Sequence, residues 1–219
     1  MGLKERHGRE REAVTTAILD AARELFVAEG YQRVSIRKIA EKIEYSPAAI
    51  YSYFPSKDDI FFALAEEGFR TLLDQAKEPA GADPLEDVRQ VFWSFYEFSK
   101  AHPEHYALMF VDRSVPRISR DWERFGFVRE MQQRAAGVIQ RAVDAGVFPA
   151  GLDARAALLV LVAAVHGAAV MRLCDRLAQA ESGDALARDT LEAAIAGLRA
   201  GITQTFRADP VIEVRRHEV

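Results

Sequence analysis

Residues 34–54 read VSIRKIAEKIEYSPAAIYSYF. Ser35 is placed to cap a short helix from Ile36 to about Ile43, with Ile36, Ile39, Ala40 and Ile43 on its inward face. Ser46-Pro47 restarts the pattern at once, because a serine cap followed by proline at the first helical position is a preorganised helix start. That second helix runs to about Tyr53 and buries Ile50 and Phe54. Two short helices joined by a tight turn make a helix-turn-helix, whose second helix lies in the DNA major groove. Its outward positions Pro47, Ala48, Tyr51 and Ser52 are small or carry a hydroxyl, which suits close approach to DNA and donation to phosphates or bases. Arg37 has the fork geometry for guanine, and Lys57, behind the cap Ser56, combines charge with the free N–H groups of a helix start.

Outward from this stretch the pattern stays helical. Residues 10–29 carry Val14, Ile18, Ala21, Ala22, Leu25 and Phe26 on one stripe, and Gly30 stops them. Ser56 opens a helix to about Lys77, and residues 78–84 form a linker. Further helices are expected over Leu85–Ala101 behind Asp83-Pro84, Pro103 to about Asp112, Ile118–Ala145 ending at Gly146, Ala154 to about Ala180 behind Asp153, and Asp184 to about Phe206. With no convincing strand and no repeat of 20–50 residues, the fold class is all-α: a three-helix helix-turn-helix domain over residues 1–57, joined to a larger helical domain over 58–219.

The 219 residues are 49% hydrophobic and 28% charged, ordinary for a chain with a buried core. The net charge of −4 suggests no nucleic-acid partner by itself, but ten Lys/Arg against eight Asp/Glu give residues 1–57 a net +2 and leave −6 for the rest. A single cysteine, Cys174, excludes an internal disulfide and fits a reducing cytoplasm; it reads as a small buried hydrophobe. No apolar run of about 18 residues and no secretory leader is read, so no membrane partner is expected. No phosphate loop, nucleophile elbow or metal-spaced cluster occurs, which speaks against an enzyme and against metal or cofactor.

Thr16-Ala-Ile-Leu-Asp-Ala-Ala-Arg-Glu-Leu-Phe26, Gly30-Tyr31, Val34 to Ala40, and Ser46 with Ile50, Tyr51, Tyr53, Phe54 and Lys57 at fixed offsets resemble the N-terminal domain of TetR-type transcriptional regulators. The resemblance covers the first quarter of the chain. It implies a homodimeric regulator, usually a repressor, that binds a palindromic double-stranded DNA operator and is released by a small ligand. It makes Ser35 and Arg37 groove-entry and base or phosphate contacts, puts Tyr51 and Lys57 on phosphates, and places Tyr53 where the family often has histidine; with Ser46 and the outward Pro47, Ala48 and Ser52 these are the expected DNA-facing residues. The family commonly has glycine in the turn where this chain has Glu44-Tyr45. A left-handed conformation at a non-glycine costs about 1–2 kcal/mol, so a different turn geometry is expected.

The aromatics of residues 92–127 recur on all sides of their helices, more than one core stripe needs. They form either plain core or an apolar pocket for a hydrophobic effector, with Phe92, Phe95, Tyr96, Tyr106, Phe110, Trp122, Phe125 and His166 as lining. His102 and His105 read as capping or solvent-facing. His102 to Tyr106 and Val165-His166-Gly167 also resemble a TetR subgroup that carries a Trp-His-Gly triplet. Ala156, Ala157, Val160, Ala163, Ala164, Gly167 and Ala168 are small enough for close helix approach in a dimer seam. The alternative is a constitutive DNA-binding protein with a collapsed core and no ligand.

Overall fold

A computed structural model describes residues 3–76, 81, 83–117 and 123–201, excluding the side chains of residues 3–5 and 7. All regular elements among these residues are helical. They are α1 (Leu3–Glu29), a 3₁₀ turn (Tyr31–Arg33), α2 (Ile36–Lys42), α3 (Pro47–Tyr51), α4 (Lys57–Gln75), α5 (Pro84–Ala101), α6 (Pro103–Tyr106) with a π turn (Ala107–Val111), α7 (Gly126–Asp144), α8 (Ala154–Leu173) and α9 (Gly183–Arg199). The expected starts hold because they are made by local side chains. Ser35, Ser46, Ser56, Asp153 and Ser182 each accept a backbone N–H from the first turn of their helix. Gly30 and Gly146 take positive φ at the ends of α1 and α7.

The helix ends were less legible. α3 stops at Tyr51, and Ser52-Tyr53 forms a turn. α8 stops at Leu173, short of Ala180, because Asp175 adopts φ 50° and two backbone bonds, Asp175 N to Arg172 O and Arg176 N to Met171 O, close the last turn without a glycine. Residues 118–122 and the chain beyond 201 lie outside the described residues, so the expected start of the seventh helix and end of the ninth lie there too.

The chain forms two compact units. The first comprises residues up to 76 together with 94–131. Its core runs from Ile18, Ala22 and Phe26 of α1 through Ile39, Ala40 and Ile50 to Ile60, Phe61, Leu64, Ala65 and Phe69 of α4, with Leu108 and Phe125. The second comprises residues 77–93 and 132 onward. There α8 and α9 make the most extensive helix pair among the described residues, with Leu161, Val165, Ala168 and Ala169 of α8 and Leu191, Ile195 and Leu198 of α9 buried.

One correction concerns α8. It has 20 residues, and an 18-residue window within it has a mean hydropathy of 2.0, so among the described residues it is by length and composition apolar enough to span a bilayer. The helix is apolar all round because it serves two faces. One is buried with α9; the other keeps Leu159, Ala163, Gly167 and Met171, four residues apart, exposed. Ala156, Ala157 and Ala168, expected at a seam between subunits, are instead buried within this unit. Cys174 is corrected too: it is exposed, because α8 ends one residue before it.

Candidate nucleic-acid interface

α2 and α3 are joined by Ile43 to Tyr45, and the turn has the left-handed geometry rather than the different one expected. Glu44 takes φ 58°. Its N–H donates to Glu41 O, and that of Tyr45 donates to Ala40 O at 2.9 Å, the paired bonds that normally close around glycine. Because both α2 and α3 are short, this turn decides the direction in which α3 leaves α2.

α3 is anchored from behind and open in front. Ile50 is 0% and Phe54 8% exposed, and full burial of such side chains stabilises by about 1.5–3 kcal/mol each. On the other side Ser46, Ala48, Tyr51 and Ser52 are exposed, Tyr51 by 55%, and Pro47 is half-buried. Ser46 Oγ holds the Ala49 N–H at 3.1 Å, and Ser52 Oγ donates to Ala49 O at 2.6 Å, so both hydroxyls also finish the helix ends. Ser35 is exposed, its Oγ accepting from Lys38 N at 3.3 Å, and Arg37 is exposed beside it. The neighbouring cations are engaged: Lys38 pairs with Glu29, and Lys42 with Glu24 at 2.8 Å, which draws the Glu24 carboxyl below its ordinary range.

Two expected DNA-facing residues point elsewhere. Lys57 turns its ammonium inward. Nζ donates to Tyr31 O at 2.8 Å and Val34 O at 3.1 Å, and lies 4.0 Å from the Tyr31 ring centre. The Tyr31 carbonyl, which also accepts the Val34 N–H, and the Val34 carbonyl behind it attract the cation, and partial desolvation there holds its pKa below the usual lysine value. Tyr53 is half-buried, with the Arg11 guanidinium 4.9 Å over its ring. Sequence reading missed Arg11, since its partner lies 41 residues away in the chain.

Seven of the eight residues expected to line an effector pocket lie among the described residues. Phe95, Tyr96, Tyr106, Phe110 and Phe125 belong to the first unit, Phe92 and His166 to the second, and Trp122 lies outside the described residues. Tyr96 and Tyr106 are 0% exposed, Phe125 1% and Phe92 2%. Phe95, Tyr106, Phe110, Phe69, Phe125 and Phe62 pack on one another with ring centres 5.0–6.1 Å apart, so they fill their own space. A cleft of about 330 Å³ lies in the second unit, but Arg89, Gln90 and Trp93 of α5 and Arg188, Leu191 and Glu192 of α9 line it, none of them an expected pocket residue. His166 is half-buried, and that burial lowers its pKa.

His105 is corrected as well: it is buried, not solvent-facing. α6 presses it against Gly68 of α4, where an added Cβ would lie 3.2 Å from its ring. Its Nε2 is buried without a hydrogen-bond partner, 3.9 Å from Glu67 Oε1. Arg23 of α1, which also pairs with Glu104 at 3.3 Å, adds its positive charge nearby. Among the described residues no group of His, Cys, Asp and Glu is arranged to hold a metal.

Residues 18–64 match the profile of bacterial regulatory proteins of the tetR family, and residues 88–194 match a tetracyclin repressor-like C-terminal domain. The chain is 32% identical over 74 residues to the HTH-type transcriptional repressor KstR of Rhodococcus jostii, covering 34% of this chain and 35% of that one. It is 32% identical over 124 residues to the nucleoid occlusion factor SlmA of Vibrio campbellii, covering 52% and 61%. It thus spans less than two thirds of either relative. Among solved structures, the regulator FadR from Bacillus subtilis in complex with stearoyl-CoA superposes with TM-score 0.69 at 18% identity, covering 83% of this chain and 98% of FadR, which speaks to fold. These named relatives are regulators or a nucleoid occlusion factor, not enzymes.

Proposed function

The chain belongs to the TetR family of bacterial regulatory proteins, and from that premise we propose that it is a cytoplasmic transcriptional repressor binding a palindromic operator as a homodimer. The observation that carries the reading is α3: one side seated on Ile50 and Phe54, the other presenting Ala48, Tyr51 and Ser52 outward. A side of small residues and hydroxyls suits close approach to a groove floor, and Arg37 adds a forked donor at its edge. In this reading residues 1–57 are the head and 58–219 the body. Ser35, Ser46, Pro47 and Tyr51 approach the backbone, while Tyr53 and Lys57 brace the head from within. Dimerisation rests on the exposed α8 stripe of Leu159, Ala163, Gly167 and Met171, and α9 in turn exposes Ala193 and Ala196. Two such helix pairs make a four-helix seam that sets two heads on half-sites about 34–36 Å apart or a multiple of it.

For the effector, the first unit offers the site. Phe95 and Phe110 are only half-buried, and Phe110 lies in the π turn 107–111, an irregularity frequent at functional sites. A hydrophobic ligand entering there would part rings that now meet edge-on or tilted, and it would change DNA affinity by its differential affinity for the two states. A second reading, a DNA-binding protein with no ligand, is favoured by those same filled rings and by the likeness to a nucleoid occlusion factor.

The test is binding of purified protein to DNA flanking its own gene, with and without cell extract. A two-fold footprint that extract releases supports the first reading, and a footprint indifferent to extract supports the second. Failure to bind any duplex at moderate salt overturns both.

A further inference from the structure

Arg11 lies in α1, ahead of the segment that matches the family profile. Its charge is spent on one place. NH2 donates to the carbonyl oxygen of Ser52 at 3.3 Å, and the guanidinium carbon sits 4.9 Å over the Tyr53 ring. Ser52 is the C-cap of α3, so the bond satisfies a carbonyl that the helix itself leaves open. The positive charge also meets the negative end of the α3 dipole. α3 has only five residues, with Ile50 buried on its inner side and Phe54 buried just beyond its end. Arg11 adds a hold from another helix, just past its last turn.

We propose that Arg11 is a positioning residue for DNA recognition. Through Ser52 and Tyr53 it sets the angle at which Ala48 and Tyr51 meet the groove, so the first turns of α1 must be ordered for the head to bind. The inference rests on the DNA-binding reading. A planar guanidinium both stacks and forks, whereas lysine offers a hydrated point charge, so the two differ at this position.

The experiment has two arms. In the free protein, hydrogen exchange is followed for the amides of Ser52, Tyr53 and Phe54, which donate to Ala49 and Ile50 carbonyls. Arg11→Ala is expected to speed their exchange about tenfold, the scale of one hydrogen bond plus one ring contact, while amides of Ala21 to Phe26 keep their rates. Unchanged exchange at 52–54 overturns the proposal whether or not the chain binds DNA. The second arm uses a duplex that the wild-type protein selects from a randomised pool. Arg11→Ala is expected to weaken binding about tenfold with the salt slope unchanged, Arg11→Lys to fail to restore it, and Tyr53→Phe to behave as wild type. Tyr53→Leu is expected to match Arg11→Ala, and the double variant to be no worse than either single one. A salt slope reduced by about 0.9, with rescue by lysine, would make Arg11 a plain phosphate contact and sink the positioning role. If the wild type selects no duplex, the DNA-binding reading fails and the exchange arm alone decides whether the clamp exists.

Discussion

Lys57 Nζ and the Tyr31 carbonyl oxygen are 2.8 Å apart, and the same ammonium lies 4.0 Å from the Tyr31 ring centre. The first residue of α4 thus fastens the turn between α1 and α2, helped by a Tyr31 hydroxyl bond to Asp58. Lys57→Met keeps the aliphatic stem but drops the two carbonyl bonds and the ring contact. The expected loss is about 1–2 kcal/mol of stability, because the site is only partly buried. Chemical denaturation checks this. A variant with unaltered stability and weakened DNA binding would return Lys57 to the phosphate role that its position in the sequence suggested.

Glu44 at φ 58° sits in a conformation that costs a non-glycine residue about 1–2 kcal/mol. Glycine removes that strain but brings about 0.5–1 kcal/mol of extra chain entropy in the unfolded state. Glu44→Gly is therefore expected to stabilise by roughly 0.5–1 kcal/mol, seen as a higher denaturant midpoint with an unchanged slope. It also takes a negative charge from beside the proposed groove-facing helix, so DNA affinity should rise at low salt and converge with wild type at high salt. A destabilised Glu44→Gly would mean that the Glu44 side chain stabilises the turn.

His105 couples stability to pH. Burial, then the charges of Arg23 and His102, lower its pKa from 6.5 to about 4, with Asp20 opposing. Glu67 stands 3.9 Å from its Nε2, and Glu104 pairs with Arg23. The folded chain binds fewer protons than the unfolded chain between these two values. Stability is thus fully present above pH 6.5 and is lost progressively as pH falls toward 4. The full effect is of order 3 kcal/mol. His105→Asn should flatten this part of the profile between pH 6.5 and 4; an identical profile would assign the acid loss to other groups.

What was readable in the chain was what neighbouring residues decide. Ser35, Ser46, Ser56 and Asp153 cap the helices that follow them because a cap needs only its own first turn. The inward positions of Ile39 and Ile50 follow from spacing alone. Where a long side chain turns was not readable. Position alone puts Lys57 on phosphate, because nothing local says that Tyr31 and Val34 offer it two carbonyls. The end of α8 was missed for a related reason, since Asp175 adopts a conformation that sequence flags reliably only at glycine. The surplus of aromatics signalled more than one stripe, but rings that pack on each other and rings that line a void have the same spacing.

The α8 stripe gives the sharpest test of assembly. Leu159 and Met171 are each 40% exposed on a helix whose opposite side is buried with α9. Between them Ala163 and Gly167 carry almost no side chain, so a second helix can approach closely. In a two-fold dimer each substitution counts twice. Leu159→Glu removes an apolar side chain worth about 1.5–3 kcal/mol per subunit, so the dimer dissociation constant should rise by roughly 10²–10⁴-fold. Sedimentation of wild type should give twice the chain mass, and of the variant the chain mass, with helix content by circular dichroism unchanged. Operator affinity should fall with the dimer, since one head alone reaches one half-site. A wild-type chain that sediments as a monomer at micromolar concentration would refute the seam, and a monomeric variant that still protects both half-sites would show that the heads need no such partner.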